Sequence, residues 1–333
     1  MSESVNVLKT IGVSSYFKGA SDLAFTPERL RNASLNKVDL LYLESLGKLG
    51  KISVNDVELL RLRTKQEKIR QLVCFLANLF NGKCISYSVM KTLRPFAYAG
   101  SDVDVLLKEP NDFTNAVKVL QNRGFLLSES QNRFTATLAQ HDSDIYVDLQ
   151  LEATVSSLPY MNKHVLFQNV KNVQIDGVTV KTLNAPAELI IVASHALYKE
   201  HMYTLADFYS SVLTLTHDNV KATCDLAEKT MSKLAVSTLF VWTQKIANLA
   251  FKTNIPAVTA ALAVLDYSVP ERMLSGSDLR LPFRLSKYFI FFSLMNKIYK
   301  DSYTRSGLVN ALAESLSQEQ LRRIICHFER QSY

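Results

Sequence analysis

The sequence predicts an α/β (α+β) fold: a mixed sheet core flanked by N-terminal helices and followed by a C-terminal helical domain. Three observations carry that reading. Gly100-Ser101-Asp102-Val103-Asp104-Val105-Leu106-Leu107 alternates apolar and acidic residues with the period of a half-buried strand. Asp144-Ile145-Tyr146-Val147-Asp148-Leu149-Gln150-Leu151 alternates in the same way. On either side, apolar residues recur every three or four positions, the period of helices that bury one face.

Taken in order, Ile69, Leu72, Val73, Leu76 and Leu79 mark a helix that stops at Asn81-Gly82. Arg61, Arg63, Lys65, Lys68 and Arg70 make its approach basic. After the Asp102 strand, Asn111 or Asp112 is expected to cap a helix carrying Phe113, Ala116, Val117 and Leu120, closed by Gly124. Phe125–Leu127 and Phe134–Leu138 read as strands, and the Asp148 strand follows. Val173–Val180 reads as a hairpin turning at Asp176-Gly177. Pro186 opens a helix through Leu189, Ile190, Val192, Ala193, Ala196 and Leu197, and Thr204 caps another with Asp207 at its third position. Beyond Asp218 the chain reads as helices. One presents Leu234, Leu239, Val241, Trp242, Ile246 and Leu249; another is a buried run at Tyr288–Phe292; a tail passes Leu312, Leu316 and Leu321 to Ile325. The boundaries expected are an N-terminal helical region at 1–80, a core at 81–185 and a C-terminal helical domain at 186–333.

The 333 residues are enough for two or three domains with ample core. No apolar run approaches the roughly eighteen residues of a membrane span, and the N-terminus lacks the plan of a signal peptide. Cys74, Cys84, Cys224 and Cys326 show no metal-ligand spacing, so reduced thiols in the cytoplasm are expected. A formal charge of +7 points toward a polyanionic partner rather than a membrane. Arg29 with Arg31, Lys65 to Arg70, and Arg322-Arg323 are the basic patches.

Asp102 and Asp104 leave the same face of their strand, about 7 Å apart at the backbone. Such a pair costs repulsion and desolvation unless a cation joins it. An isolated Asp-x-Asp is most often a solvated strand face; here Gly100-Ser101 and a third mid-strand acid, Asp148, favour a metal site. If the two strands are neighbours, Asp102, Asp104 and Asp148 converge. Hard carboxylate oxygens suit magnesium, which completes its shell with water and phosphate. Three carboxylates would hold two ions, one on an attacking hydroxyl and one on a triphosphate. Gly276-Ser277-Asp278 lacks a second acid and strand alternation, and reads as a loop.

With these residues in hand, the chain resembles the DNA polymerase β-like nucleotidyltransferase superfamily, and within it a compact prokaryotic and archaeal-type branch of uncharacterised members near the abortive-infection toxins. The likeness runs through Tyr87–Thr92, Arg94-Pro95-Phe96, Gly100–Leu107, Asn122–Phe125, Tyr146–Leu149, Ile175-Asp176-Gly177 and Leu183–Leu189. It implies the nucleotidyltransferase fold for the core, and magnesium-dependent transfer of a nucleotide from a nucleoside triphosphate such as ATP to a hydroxyl. Asp102 and Asp104 match the superfamily's metal-binding pair, and Asp148 its third carboxylate.

One departure stands out. Much of the superfamily carries a Gly-Ser or Gly-Gly pair about ten residues before the aspartates, cradling the triphosphate. This chain has Met90-Lys91-Thr92-Leu93-Arg94-Pro95 there. Lys91, Thr92 and Arg94 are the candidates to replace that cradle, with Ser101 and Lys199 as further nucleotide-binding candidates. His195, Lys199 and Asp207 lie where related chains place polar residues near the nucleotide, although an interior histidine, a solvated cation and a cap are their ordinary meanings. The expected acceptor is RNA, the tRNA 3′ end foremost. The alternatives are a hydroxyl on a protein or small molecule, or a non-catalytic nucleotide- or RNA-binding relative.

Overall fold

The computed structural model describes residues 3–13, 24–128, 134–155, 157–266 and 281–315. Its helices are α1 (Glu3–Ile11), α2 (Pro27–Leu35), α3 (Asp39–Lys48), α4 (Val57–Gly82), α5 (Pro110–Gln121), α6 (Lys163–Phe167), α7 (Ala185–His195), α8 (Leu205–Thr214), α9 (Val220–Lys229), α10 (Lys233–Phe251), α11 (Pro256–Leu265), α12 (Lys287–Lys300) and α13 (Ser302–Ser315). Its strands are β1 (Tyr87–Met90), β2 (Asp102–Leu107), β3 (Phe125–Leu127), β4 (Thr135–Gln140), β5 (Tyr146–Gln150), β6 (Thr154–Val155), β7 (Leu158–Pro159), β8 (Val170–Ile175), β9 (Val178–Leu183), β10 (Met202–Tyr203) and β11 (Phe283–Arg284). The fold is mixed α/β, as the alternating runs require.

Seven strands form one sheet in the order β3-β4-β5-β2-β1-β9-β8. β2 lies between β5, to which it is parallel, and β1, to which it is antiparallel. The β8–β9 hairpin turns at Asp176 and Gly177, whose φ angles of 50° and 78° give the left-handed pair that a tight hairpin needs. The α5 cap differs from expectation. Glu109 is the N-cap, and Asp112 sits three residues later, its carboxylate accepting from the Glu109 amide in a capping box. Pro110 at the first helical position fixes that start two or three residues earlier than Asn111 or Asp112 would.

The sheet separates two cores. One face packs Val103, Val105, Leu107, Val147 and Leu149 against α4 and α5. The other looks toward the C-terminal helices, where α7 is buried around its whole circumference from Leu189 to Ser194. The N-terminal helices share that second core, Val5, Leu8, Leu40 and Leu43 joining the cluster that contains Phe208 and Trp242. Asn36 fastens the end of α2 to the start of α8: its backbone carbonyl accepts from Ala206 N at 3.1 Å, and its side-chain oxygen accepts from Leu205 N at 3.3 Å.

Two helical expectations change. In α12 only Phe289 and Ile290 of the aromatic run are buried, while Tyr288, Phe291 and Phe292 are exposed. Five consecutive apolar residues circle a helix, and a single contact face can cover only part of that circle. In α10 the buried stripe takes Leu234, Leu239, Trp242 and Ile246, but Leu249 is exposed. α13 approaches β7 so closely that a Cβ on Gly307 would lie 2.3 Å from Pro159 Cδ. Gly276-Ser277-Asp278, Leu316, Leu321, Arg322-Arg323, Ile325 and Cys326 lie outside the described residues. Among those described, no helix is long and apolar enough to cross a membrane.

Asn36→Leu should strand the Leu205 amide in the core. A buried donor left without a partner costs about 1–3 kcal/mol, which urea unfolding of parent and variant measures directly.

Candidate active site

The site begins with strand register. Asp104 lies opposite Asp148 across the parallel β2–β5 pair, and Asp102 opposite Tyr146. Because the neighbouring valines and leucines fill the α4–α5 core, the three acids must leave by the other face. One carboxylate oxygen from each lies within 4.8 Å of the others. Asp148 Oδ1 is shut off from solvent and has no hydrogen-bond partner among the described residues. A buried acceptor without a donor is what a cation satisfies, and the all-oxygen donor set suits a hard divalent ion.

The carboxylates differ in environment. Burial first, and then the Asp104 charge, push Asp102 up to about 6. Burial and Asp104 raise Asp148 as well, a hydrogen bond from Thr137 only partly opposing them. Asp104 is the most enclosed, yet the charges of Lys91 and Lys199 outweigh burial and hold it below the ordinary range. Lys91 Nζ stands 3.1 Å from Asp104 Oδ2, and Gln150 Nε2 donates to Asp104 Oδ1 at 2.6 Å. Both side chains are buried. Removing one member of such a pair typically costs about 3–5 kcal/mol, because the other charge stays buried and alone.

Lys91 follows the last residue of β1 with φ at 58°, the left-handed conformation that favours glycine. Its amide donates to Glu188 Oε1 at 2.6 Å, and its ammonium reaches His195 Nδ1 at 3.3 Å. Tyr160, its hydroxyl pushed up to about 12 chiefly by burial, also donates to His195 Nδ1, at 3.2 Å. With Nδ1 accepting, Nε2–H donates to Glu200 Oε1 at 3.1 Å. His195 is therefore neutral: burial, and then the Lys91 charge, lower it to about 3. Lys37 stands 3.8 Å from the far oxygen of Glu200. α7 ends at His195 in a π-helical turn, Ala196–Glu200, a device that recurs at functional sites and here gathers His195, Lys199 and Glu200 beside the acids.

A cavity of about 700 Å³ opens beside these side chains. Asp102, Asp104, Lys91, Thr92, Arg94, Ser101 and Lys199 all border it, as do His195 and Asp207. Asp148 joins through the carboxylate cluster. The structure gives some of these residues partners other than a phosphate. Thr92 Oγ1 accepts from the Asp104 amide at 3.0 Å and donates to Met90 O at 3.2 Å, so it locks the loop to β2. Lys91 is committed to Asp104. Arg94 donates to Ser210 Oγ at 2.8 Å, lies over the Tyr98 ring, and its charge opposes the effect of burial on Glu188 and Asp207. Asp207 completes the Thr204 capping box. Lys199 remains the cavity cation from the expected set without such an engagement among the bonds and ion pairs described.

Arg31, read from the sequence only as part of a basic patch, lines the cavity; sequence reasoning missed Lys37, Glu188, Glu200, Tyr160 and Arg284, of which all but Glu188 and Tyr160 line it. They come from distant elements, and nothing in their local pattern marks them. Gln150 did carry a signal, since it shares the Asp148 face two residues on. The α4 cations are less free than their clustering implied: Arg61, Arg63, Lys65 and Arg70 face Glu58, Glu44, Asp144 and Asp176.

No protein-family model matches the sequence, and no curated protein matches it. Among solved structures, the chain is similar to the crystal structure of an antigenic nucleotidyltransferase-like protein from Paracoccidioides brasiliensis, at 13% identity and a TM-score of 0.36, over 60% of this chain and 93% of that one. At that distance the chemistry rests on the site itself: a mixed α/β fold whose central strands carry an acidic cluster suited to a metal ion.

The raised Asp102 carboxyl has a definite pH consequence. Its folded pKa of about 6 exceeds the ordinary 3.8, so its contribution favours the fold below that lower value and is lost as pH rises through 6. In metal-free buffer at pH 8, Asp102→Asn should therefore be more stable than the parent, by about 1–3 kcal/mol. The gain should shrink toward zero between pH 6 and 4. Urea unfolding in chelator across that range reads the difference.

Proposed function

We propose that the protein is a magnesium-dependent nucleotidyltransferase, moving a nucleoside monophosphate from a nucleoside triphosphate to a hydroxyl. The observation that carries this is the register-locked convergence of Asp102, Asp104 and Asp148 beside a roomy cavity that also holds Arg31, Lys37, Lys199 and Arg284. Acids for a cation and cations for phosphate thus occupy one site. The resemblance of residues 81–210 to the DNA polymerase β-like superfamily agrees with it.

In this reading the acceptor oxygen bonds to the α-phosphorus, the bond to the bridging oxygen breaks, and pyrophosphate leaves with the electron pair. Magnesium held by Asp102, Asp104 and Asp148 supplies charge neutralisation to the phosphoryl oxygens. Asp148, paired in register with Asp104, holds the ion from the neighbouring strand. Lys199 holds the leaving pyrophosphate as a point charge, and Arg94 shapes the wall behind it rather than gripping phosphate. His195 stays neutral and fixes the Lys91 ammonium and Glu200 in place.

RNA, the tRNA 3′ end foremost, is the acceptor this reading favours, on the formal charge of +7 and the cations at the cavity. A protein or small-molecule hydroxyl is the second reading, and the pairing of the α4 cations with carboxylates favours it. Incubation with each α-labelled triphosphate, magnesium, and total RNA, protein or neither separates them by where the label goes. RNA binding should also weaken with salt, with a slope of roughly −0.7 per phosphate contact on single strands. A protein or small-molecule acceptor would show no such slope.

Asp104→Ala and Asp148→Asn should each abolish label transfer, since both remove charge from the reacting centre. Wild-type turnover in Asp148→Asn would remove it from the mechanism. Lys199→Ala should raise the nucleotide KM by roughly ten- to a hundredfold, the worth of one charge-assisted phosphate contact, and steady-state kinetics at saturating acceptor measures it.

A further inference from the structure

We propose that Lys91 is built into the carboxylate cluster as its second cation, so that Asp102, Asp104 and Asp148 take one divalent ion rather than two. This rests on the metal-dependent reading above and replaces with one ion the two that three carboxylates lead one to expect from the sequence.

The first support is the occupancy of Asp104. A carboxylate that bridges two metal ions gives one oxygen to each. Here Oδ2 faces the Lys91 ammonium at 3.1 Å and Oδ1 takes the Gln150 amide at 2.6 Å. Gln150 comes from β5, two residues beyond Asp148, so the strand that brings the third acid also brings the donor that covers Asp104.

The second support is that Lys91 is fixed in place. A surface lysine can swing away when a metal arrives, but Lys91 is only 6% exposed. Its amide is held by Glu188 at 2.6 Å and its ammonium by His195 at 3.3 Å as well as by Asp104. Its backbone keeps a left-handed φ of 58° that a residue with a Cβ adopts at a cost. Strain of that kind persists where the surroundings over-determine it, and it clusters at functional sites. Glycine would meet the backbone requirement without cost; what lysine adds is the ammonium.

Charge gives the third support. Three carboxylates are balanced by one divalent ion plus one ammonium. Two divalent ions beside the same ammonium would leave the cluster with a net positive charge in a poorly solvated site, which is unfavourable. The triphosphate's own charge falls to Lys199 and the outer cavity cations.

The test is Mn²⁺ titration of the metal-free protein, counting bound ions from the loss of the free Mn²⁺ spin-resonance signal. One ion per chain is expected for the parent and for Lys91→Arg, which keeps the cation. Two are expected for Lys91→Asn, because asparagine tolerates the left-handed backbone and is too short to reach Asp104. Two ions in the parent, or one in Lys91→Asn, would overturn the inference while leaving the metal-dependent reading intact. No ion in any of the three would overturn both. Should Lys91→Asn unfold without metal, refolding that saturates at two Mn²⁺ per chain supports the inference, and failure to refold at any Mn²⁺ concentration counts against it.

Discussion

The buried ion pair between Lys91 and Asp104 is the interaction on which the site depends. A carboxylate on a central strand, almost fully removed from water, is tolerated only with a partner of opposite charge. Lys91 supplies that partner across the β1–β2 pair, where Met90 and Asp104 are register neighbours. To do so the chain takes a left-handed turn directly after β1, and three further contacts hold it there: Glu188 on the amide, Thr92 on the Asp104 amide, and His195 on the ammonium. The loop that a glycine pair would make pliant is instead tied down by side chains.

That arrangement places demands on the C-terminal half. Glu188 and His195 come from opposite ends of α7, so the helix must lie against the sheet at a fixed rotation to meet Lys91 with both. Its uniformly apolar surface makes this possible, since every side of α7 can be buried while its two polar termini reach the loop. The π-helical turn then redirects the chain so that Lys199 and Glu200 border the cavity. Lys37, from the N-terminal helices, closes the network on Glu200. The N- and C-terminal helices share a core, and both contribute to the cavity wall.

Much of this was legible in the chain. Strict alternation around Asp102 and Asp104, and around Asp148, set each on the face away from its neighbouring valines and leucines; the β2–β5 pairing supplies the adjacency on which their convergence was conditional. The Asp176-Gly177 turn, the stop at Asn81-Gly82 and the Thr204 cap were equally readable, because each depends on a few adjacent residues. The aromatic run in α12 was misread for the same reason in reverse: hydrophobicity says that residues can be buried, and packing decides which of them are. The basic helix α4 looked free for a polyanion until its acidic neighbours, far away in sequence, came into view.

By itself the sequence determined the order of strand, helix, strands and hairpin from Gly100 to Val180, the shared face of Asp102 and Asp104, and the absence of a glycine pair before them. Local periodicity and backbone preference suffice for those, since they act over a few residues. Tertiary structure alone decided that Lys91 and Thr92 serve Asp104, that Arg94 braces the cavity wall, and that His195 is neutral. Each of those outcomes depends on which groups meet across strand register and helix packing. The energies involved, desolvation and short-range charge pairing, exist only once the chain has closed around them.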